Sequence, residues 1–253
     1  MSEAFKRTTR NRNNMNVLVA CEYSGIVRDA FENAGWNAWS CDILPTESGQ
    51  TNASKKHFLG DVRDLFLNDE LAIRIRKNIG MPEKWDLLIG HPPCSYLSFA
   101  YTGKERYSIY RLHHKIQAYQ FFLDLWSVPV EHICLENPMG YVHTGLLPYT
   151  QIVEPYHFGE PYKKRTCLWL KNLPKLVHAK TDLFCQGTEV EPTHTYINST
   201  PKKRRKMPAV LNPFSTQKEK SKFHKGIATA MAEQWTEYLT TQIEINNTKT
   251  ESI

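Results

Sequence analysis

Residues 16–42 read NVLVACEYSGIVRDAFENAGWNAWSCD, and this stretch predicts the fold of the chain. Its first five residues form an apolar run typical of a buried strand, and a turn follows at Ser24 and Gly25. The next segment, IVRDAFENAGW, has apolar residues at helical spacing, and Gly35 suits the end of a helix. A second strand, NAWSCDI, reaches Asp42. A strand, turn, helix and strand with a terminal acid predict the opening of a doubly wound, Rossmann-like parallel sheet.

The same alternation continues to residue 138. The segment WDLLIGHPPC contains a strand at 87–89 that is stopped by prolines, and EHICLENP contains another that is closed by Pro138. Between them, IYRLHHKIQAYQFFLDLWSV predicts a long helix with apolar residues at positions 109, 112, 116, 119, 122, 123 and 126. Parallel strands joined by right-handed crossovers are the expected result, so we predict a mostly parallel α/β sheet.

The pattern changes after residue 150. QIVEPYHFGEPYKKRTCLWL predicts a hairpin with Thr166–Leu170 as one strand, and GIATAMAEQWTEYLTTQI predicts an amphipathic helix. The segment between them is rich in Pro, Lys and Thr and has weak periodicity. We therefore expect a flexible basic arm over 1–15, a main domain over 16–170, a small loop-rich element over 171–223, a C-terminal helix over 224–243 that returns to the main domain, and a disordered tail over 244–253.

Composition sets the broad class of the protein. The chain has 253 residues, of which 41% are hydrophobic and 23% are charged, as is ordinary for a globular protein. It has no apolar run of the length that spans a bilayer, and its first residues lack the apolar centre of a signal peptide. We therefore expect a cytoplasmic protein with no membrane partner. The six cysteines form no CxxC pair, so we expect free thiols and no metal site.

Positive charge is concentrated near the C-terminus. The net charge is +6, and residues 202–225 hold nine Lys or Arg residues against Glu219 alone. The stretch PKKRRKMP within it has three interpretations: a patch that contacts phosphates, a solvated loop, or a nuclear import signal. An anionic partner such as nucleic acid is favoured by this distribution.

Polar groups follow the predicted strands where each one ends. In open α/β sheets, ligands bind at the carboxyl ends of the strands, so these groups are expected to share one edge. An acid after the second strand suits the hydroxyls of a ribose, although a strand-ending Asp is also a common helix cap. The pattern predicts a cofactor that contains a nucleoside. The groups are Tyr23-Ser24-Gly25, Asp42, Gly60-Asp61, Pro92-Pro93-Cys94 and Glu136-Asn137-Pro138.

Cys94 and Glu136 form the most informative pair. A thiolate nucleophile and a carboxyl group that can be protonated are what attack on an electron-poor ring requires. Pro92 and Pro93 fix the backbone before the thiol and hold the loop in one shape. The alternative for Cys94 is a buried thiol after a tight turn, and for Glu136 it is a helix cap or a salt bridge.

With these residues in place, the chain resembles the DNA cytosine-C5 methyltransferases, and more closely their compact phage and prophage members. The motifs occur in that family's order: CEYSGIVRDAF, CDI, GDVRD, HPPCSYLS, CLENP and FGEPYKKRTCLWL. The resemblance covers roughly residues 16–170, and a weaker similarity is found in the final helix. It implies the S-adenosylmethionine-dependent methyltransferase fold with a small target-recognition element at 171–223.

The resemblance also implies a cofactor site. The cofactor would be S-adenosyl-L-methionine, and residues 22–25 would face its methionine part. Asp42 would bind the ribose, and Asp61 with Val62 would bind the adenine. In full, the residues implied for the cofactor are Glu22, Tyr23, Ser24, Gly25, Asp42, Ile43, Asp61, Val62 and Pro92.

The same resemblance implies a role for the remaining groups. A cytosine flipped out of double-stranded DNA would be attacked at C6 by Cys94, with Glu136 at N3. A basic residue among Lys163, Lys164 and Arg165 would hold the base oxygen or a phosphate, with Arg165 assigned to catalysis. We expect a monomer. The further residues predicted to contact DNA are Lys202, Lys203, Arg204, Arg205 and Lys206.

Two alternatives stay open on the sequence. The short element at 171–223 favours a related enzyme that transfers a different group or acts on RNA or a nucleotide. Tyr23, which stands where the family has its first glycine, favours a domain that binds DNA without catalysis.

Overall fold

The fold is seen in a computed structural model that describes residues 15–47, 56–67, 70–99, 108–179, 187–192, 194–195 and 222–250. Residues 1–14 of the expected N-terminal arm lie outside these ranges. The basic stretch 202–206 and Cys185 lie outside them as well.

A seven-stranded sheet forms the centre of the molecule, with the strand order β3-β2-β1-β4-β5-β8-β6. The first five strands in this order are parallel, and β8 runs antiparallel to both of its neighbours. The predicted doubly wound, mostly parallel sheet is therefore confirmed. The strands are β1 (Asn16–Ala20), β2 (Asn37–Asp42), β3 (His57–Leu59), β4 (Leu87–Gly90), β5 (His132–Pro138), β6 (Gln151–Val153) and β8 (Thr166–Lys171).

Five α-helices accompany the sheet within the part of the chain that the structure describes. They are α1 (Ile26–Asn33), α2 (Glu70–Asn78), α3 (Ile109–Trp126), α4 (Tyr141–Gly145) and α5 (Lys225–Thr250). Short 3-10 helices occupy Val62–Phe66 and Pro155–Phe158, and β7 (Tyr162–Lys163) pairs with β9 (His194–Thr195) outside the main sheet.

One face of the sheet is covered by α1 and α5. Because side chains alternate along a strand, Val17 and Val19 of β1 point to this face, where Phe31 of α1 also packs. Met231 and Trp235 of α5 complete the cluster and are fully buried. The last helix thus packs against the first one, although they are far apart in the chain.

The opposite face is covered by α3. Leu18 and Ala20 of β1 belong to this second cluster, together with Phe122 and Leu125 of α3. The ring of Phe122 meets Trp169 of β8 edge to face, with 5.2 Å between the ring centroids. Fully burying each of these large side chains contributes about 2 kcal/mol to the stability of the fold.

Two helices differ from what the sequence pattern predicts. In α3, the apolar residues of the first half are exposed, with Ile109 at 87% and Ile116 at 58%, because only the second half packs against the sheet. The last helix continues to Thr250, beyond residue 243, and includes part of the expected disordered tail. In this added part, the hydroxyl of Thr248 donates a hydrogen bond to the carbonyl of Glu244 at 2.7 Å.

Candidate active site

The parallel strands bring their carboxyl ends to a single edge of the sheet. The turns after β1, β2, β3, β4 and β5 therefore share this edge, with the turn after β1 near the middle of the strand order. Every strand end that the sequence marks with a polar group lies on it.

The turn after β1 is built around a buried carboxylate. Glu22 is 3% exposed, and its two carboxylate oxygens accept hydrogen bonds from the backbone N–H groups of Val27 (2.6 Å) and Arg28 (3.1 Å). The side chain therefore caps the first turn of α1, where the helix dipole favours negative charge. Burial raises the pKa of Glu22, against the effect of the nearby His91 and of these N–H groups.

The other residues of this turn shape its surface. Gly25 precedes α1 with φ of 75°, a left-handed conformation that suits glycine. Tyr23 is buried and its carbonyl accepts a hydrogen bond from the N–H of Glu47, which fixes the chain after β2. The hydroxyl of Ser24 accepts from the N–H of Ile26 at 3.4 Å. The turn thus places backbone and polar groups beside the start of a helix.

Asp42 ends β2 and is half-buried. Its carboxylate accepts a hydrogen bond from the N–H of Leu44 at 2.9 Å, and burial raises its pKa. Ile43, the next residue, is 77% exposed. A carboxylate with one oxygen held by the chain and an exposed apolar side chain beside it could bind a ribose and cover a base.

Asp61, after β3, caps the 3-10 helix that follows. It accepts from the N–H of Arg63 at 2.9 Å, and its carboxylate pairs with the guanidinium of the same residue at 2.6 Å. This hydrogen bond to Arg63 lowers the pKa of Asp61. Val62 beside it is buried. Asp61 thus serves as a helix cap in this structure, and its contact with the adenine of a cofactor is a proposal.

Cys94 lies at the surface, at the start of a tight turn. Its carbonyl accepts hydrogen bonds from the N–H groups of Leu97 (3.0 Å) and Ser98 (2.9 Å). Upstream, Pro92 is buried, and its carbonyl accepts a hydrogen bond from the side-chain amide of Asn137 at 2.7 Å. The prolines and this bond together hold the loop that presents the thiol.

A close backbone contact joins the turns after β4 and β5. The N–H of Tyr141 donates to the carbonyl of Leu97 at 2.7 Å, and Ser98 forms a β-bridge with Gly140. A side chain on Gly140 would overlap the carbonyl oxygen of Leu97, so the approach requires glycine. The two turns therefore act as one structural unit.

Three charged or ionisable groups meet at this unit. Partial burial and the carboxylate of Glu136 raise the pKa of the Cys94 thiol, whereas the ammonium group of Lys164 lowers it. The side chain of Glu136 is 17% exposed. A thiol, a carboxyl group and a cation from three different segments thus lie within electrostatic reach of one another.

The neighbours of Lys164 have other contacts. Arg165 is exposed and pairs with Glu154 at 3.7 Å, and Lys163 lies over the ring of Tyr156. The structure therefore brings Lys164, among the three basic residues of this segment, into electrostatic contact with the thiol.

Two residues of the site were not singled out by the sequence analysis. His91 lies 3.4 Å from Glu136, measured from Nδ1 to Oε2. Arg111 of α3 is buried, donates to the carbonyl of Ser95 at 3.3 Å and lies over the ring of Tyr96, so it holds the turn after Cys94. His91 could have been identified from its position between a strand and two prolines. Arg111 could not, because nothing in the sequence distinguishes it from the other residues of its helix.

A pocket of about 600 Å³, a usual size for a small-molecule site, opens near the start of the last helix. It lies between Phe158, the segment that begins α5, and Ile26 of α1. Phe223 lines it and also packs against the ring of His91, with 4.7 Å between ring centroids. The lining thus touches the start of α1 through Ile26, and it borders the ring of His91 through Phe223.

Among the described residues, no group of three or more His, Cys, Asp or Glu side chains could hold a metal ion. None of their helices is long and apolar enough to cross a membrane.

The fold and the site define a Rossmann-like α/β protein with a thiol and a carboxyl group at the carboxyl ends of its parallel strands. No family model matches the chain, and no curated protein matches it. Solved structures do show a likeness to it, at 18–20% identity.

Three of these structures are methyltransferases or are described as such. One is a candidate DNA modification methyltransferase encoded within a prophage of E. coli, with 18% identity, 62% of this chain and 46% of that chain covered, and a TM-score of 0.40. The S. pombe Dnmt2 methyltransferase has 20% identity, 64% and 52% coverage, and a TM-score of 0.42. The Entamoeba histolytica methyltransferase EhMeth has 18% identity, 70% and 57% coverage, and a TM-score of 0.40. The chain spans about half the length of the structures it matches.

Proposed function

We propose that the chain is an S-adenosylmethionine-dependent methyltransferase that modifies C5 of cytosine in double-stranded DNA. The observation that carries this proposal is that Cys94 and Glu136 belong to the carboxyl-end region of the directly paired strands β4 and β5, where the charge of Lys164 lowers the pKa of the thiol. A nucleophile, a group that can carry a proton and a cation are what addition to a pyrimidine ring requires.

The reaction begins with the thiolate of Cys94. Its sulfur forms a bond to C6 of a flipped cytosine, and the ring electrons move toward N3, where the carboxyl group of Glu136 gives a proton. The ring thereby becomes nucleophilic at C5, where a bond to the methyl group would form as the methyl–sulfur bond of S-adenosylmethionine breaks. Loss of the C5 proton to solvent and departure of the Cys94 thiolate then restore the C5–C6 double bond, and N3 returns its proton to Glu136. Lys164 favours the thiolate at the start by its positive charge.

The proposed cofactor fits the part of the sheet edge formed by the turns after β1, β2 and β3. S-adenosylmethionine carries a positive sulfonium group and supplies an electrophilic methyl group. The carboxylates of Glu22 and Asp42 give this part of the edge a negative charge that complements it. Within the proposal, residues 22–25 face the methionine part, Asp42 binds the ribose, and Asp61 with Val62 binds the adenine. Ile43 and Pro92 complete the proposed cofactor site.

The nucleic acid would lie on the opposite side of the thiol. Lys163, Lys164 and Arg165 contribute positive charge there, and residues 202–206 would add phosphate contacts from the target-recognition element at 171–223. The enzyme would act as a monomer, with the helix from residue 224 returning to the catalytic domain over 16–170.

The proposal is tested by analysing DNA from cells that express the chain. The DNA is digested to nucleosides and examined by mass spectrometry, with Cys94→Ala in a parallel culture. We expect 5-methyldeoxycytidine with the intact chain and none with the variant. Equal levels in the two cultures would contradict the proposal. A different group on deoxycytidine, or a product in RNA alone, would instead support a related cytosine-modifying enzyme.

A further inference from the structure

The side chain of His91 is held tightly at the centre of the edge. It directly follows β4, and its N–H donates to the carbonyl of Ala20 at the end of β1, at 3.0 Å. The side chain is 12% exposed, and its ring packs against Phe223. The backbone bond and the ring contact leave the imidazole little freedom to move.

The two ring nitrogens have different surroundings. Nδ1 lies 3.4 Å from Oε2 of Glu136, whereas Nε2 is buried with no hydrogen-bond partner among the described residues. Imidazole is the side chain best able to gain and lose a proton near neutral pH. A buried ring nitrogen without a hydrogen bond is uncommon in folded proteins and requires an explanation.

The charges around the pair come from every strand end nearby. The carboxylates of Glu22 and Asp42 interact with His91 from the turns after β1 and β2. Beyond Glu136, the surrounding groups are the thiols of Cys94, Cys134 and Cys167, each of whose pKa is raised by that carboxylate, and the ammonium group of Lys164 near Cys94.

We propose that His91 is a positioning residue that orients Glu136 and exchanges a proton with it. This inference rests on the proposed function, because it assigns Glu136 a proton to deliver. The family resemblance implies no role for His91. The proposal is based on the contact between Nδ1 of His91 and Oε2 of Glu136.

The proton transfer balances without an added reagent. His91 and Glu136 share one exchangeable proton, held at rest on Nδ1 of the imidazolium. As the Cys94 sulfur forms its bond to C6, the Nδ1–H bond breaks, the proton passes through the carboxylate of Glu136, and an N3–H bond forms. When Cys94 leaves, N3 returns its proton through Glu136 to the imidazole.

The first test compares variants in the methyl-transfer assay. His91→Ala removes both the group that orients Glu136 and the group that exchanges a proton with it. His91→Asn keeps an N–H donor near the position of Nδ1, but its amide cannot exchange a proton with the carboxyl group. We expect kcat to fall about 100-fold in the Ala variant and about 10-fold in the Asn variant, because misplacing a reacting group has effects of this order. The KM for S-adenosylmethionine should change little. His132→Asn, at the other end of β5, is the matched control and should retain activity.

The pH profile separates proton exchange from packing. In the wild type, loss of the His91 proton should contribute an alkaline decline in kcat, which should be absent in His91→Asn. A merely structural defect would lower kcat equally at every pH. The double variant His91→Asn/Glu136→Gln should be no less active than Glu136→Gln alone, because His91 acts through Glu136.

A second test needs no catalysis. The ¹⁵N chemical shifts of the His91 ring report its hydrogen bonds, so Glu136→Gln should change the Nδ1 shift. Glu131→Gln, at the residue directly before β5, should not. If the wild type transfers no methyl group but the Nδ1 shift responds, the proposed function fails and the contact stands. An unresponsive Nδ1 shift, a kcat within twofold of wild type in His91→Ala, or an Asn variant with wild-type activity and profile would overturn the His91 proposal.

Discussion

At the ends of β1, β2 and β3, each carboxylate accepts hydrogen bonds from backbone N–H groups of its own turn. At the end of β5, by contrast, Glu136 faces a side chain from another strand end, His91. The first set is held by residues at most six positions away, as for Glu22 and Arg28, whereas Glu136 and His91 are 45 positions apart. The comparison teaches that one half of the edge, at β1 to β3, is assembled locally. The other half, the proposed reactive half with Cys94 and Glu136, depends on how two turns are packed together.

The largest effect should come from Cys94→Ala, which removes the nucleophile from the reactive half alone. Methyl transfer should be lost, while S-adenosylmethionine binding measured by calorimetry should stay within about twofold of wild type, because the cofactor half is built independently. Cys134→Ala, in the buried part of β5, is the control and should keep transfer activity at a stability cost of about 1 kcal/mol. Loss of cofactor binding in Cys94→Ala would show that the two halves are not independent.

Gly140→Ala should disturb the packing of the two turns. A methyl group there overlaps the carbonyl of Leu97, so the turns after β4 and β5 must separate. We expect a loss of about 2 kcal/mol in the free energy of unfolding, measured with urea, and at least tenfold slower methyl transfer. Gly145→Ala, whose new methyl group would meet only the hydroxyl of Tyr119 at 3.2 Å, should have a much smaller effect. Unchanged activity in Gly140→Ala would contradict the idea of a single rigid unit.

Lys164→Met should change the reactivity of the thiol more modestly. Lys164 lowers the pKa of Cys94, so its removal should raise that pKa and slow alkylation near neutral pH by roughly 2- to 5-fold, as for a weak surface charge pair. Glu136→Gln should do the opposite, because that carboxylate raises the pKa of the thiol. The rate of Cys94 alkylation is followed by mass spectrometry of the peptide that contains it. Lys163→Met is the matched control. An equal change of rate in that variant would mean that the net charge of the segment, and not Lys164 in particular, is responsible.

Glu22→Gln should have the smallest effect and one that depends on pH. The folded chain raises the pKa of Glu22, so its protonated form contributes stability below the ordinary carboxyl pKa, and this contribution is lost as the pH rises through the raised value. Gln accepts only through one oxygen, so the variant should be about 1 kcal/mol less stable at about pH 4. This deficit should shrink toward about pH 8. Urea unfolding at both pH values checks it, with Glu32→Gln in the same helix as the control, and a constant deficit would contradict the raised pKa.

The sequence predicts well the parts of the molecule that depend on local patterns. The apolar run of β1, the helical spacing of α1 and the acid at the end of β2 were enough to predict a parallel sheet. The placement of Cys94 and Glu136 on neighbouring strand ends also followed, because β4 and β5 pair directly. Their proposed chemical roles remain predictions.

Other features depend on contacts that no local pattern contains. The exposed start of α3 has the same periodicity as its buried end, because periodicity does not show where the sheet stops. The contact of Gly140 with Leu97 and the hydrogen bond from Arg111 to Ser95 both join segments that meet only after folding.

The sequence by itself determined the sheet, the order of its strand ends and the presence of a thiol and a carboxyl group among them. Only the tertiary structure brought Lys164 to a place where its charge lowers the pKa of the Cys94 thiol, and brought His91 next to Glu136. The physical reason is that hydrophobic periodicity is a property of consecutive residues. Hydrogen bonds and charge interactions instead depend on distances of a few ångströms between side chains that are remote in the chain.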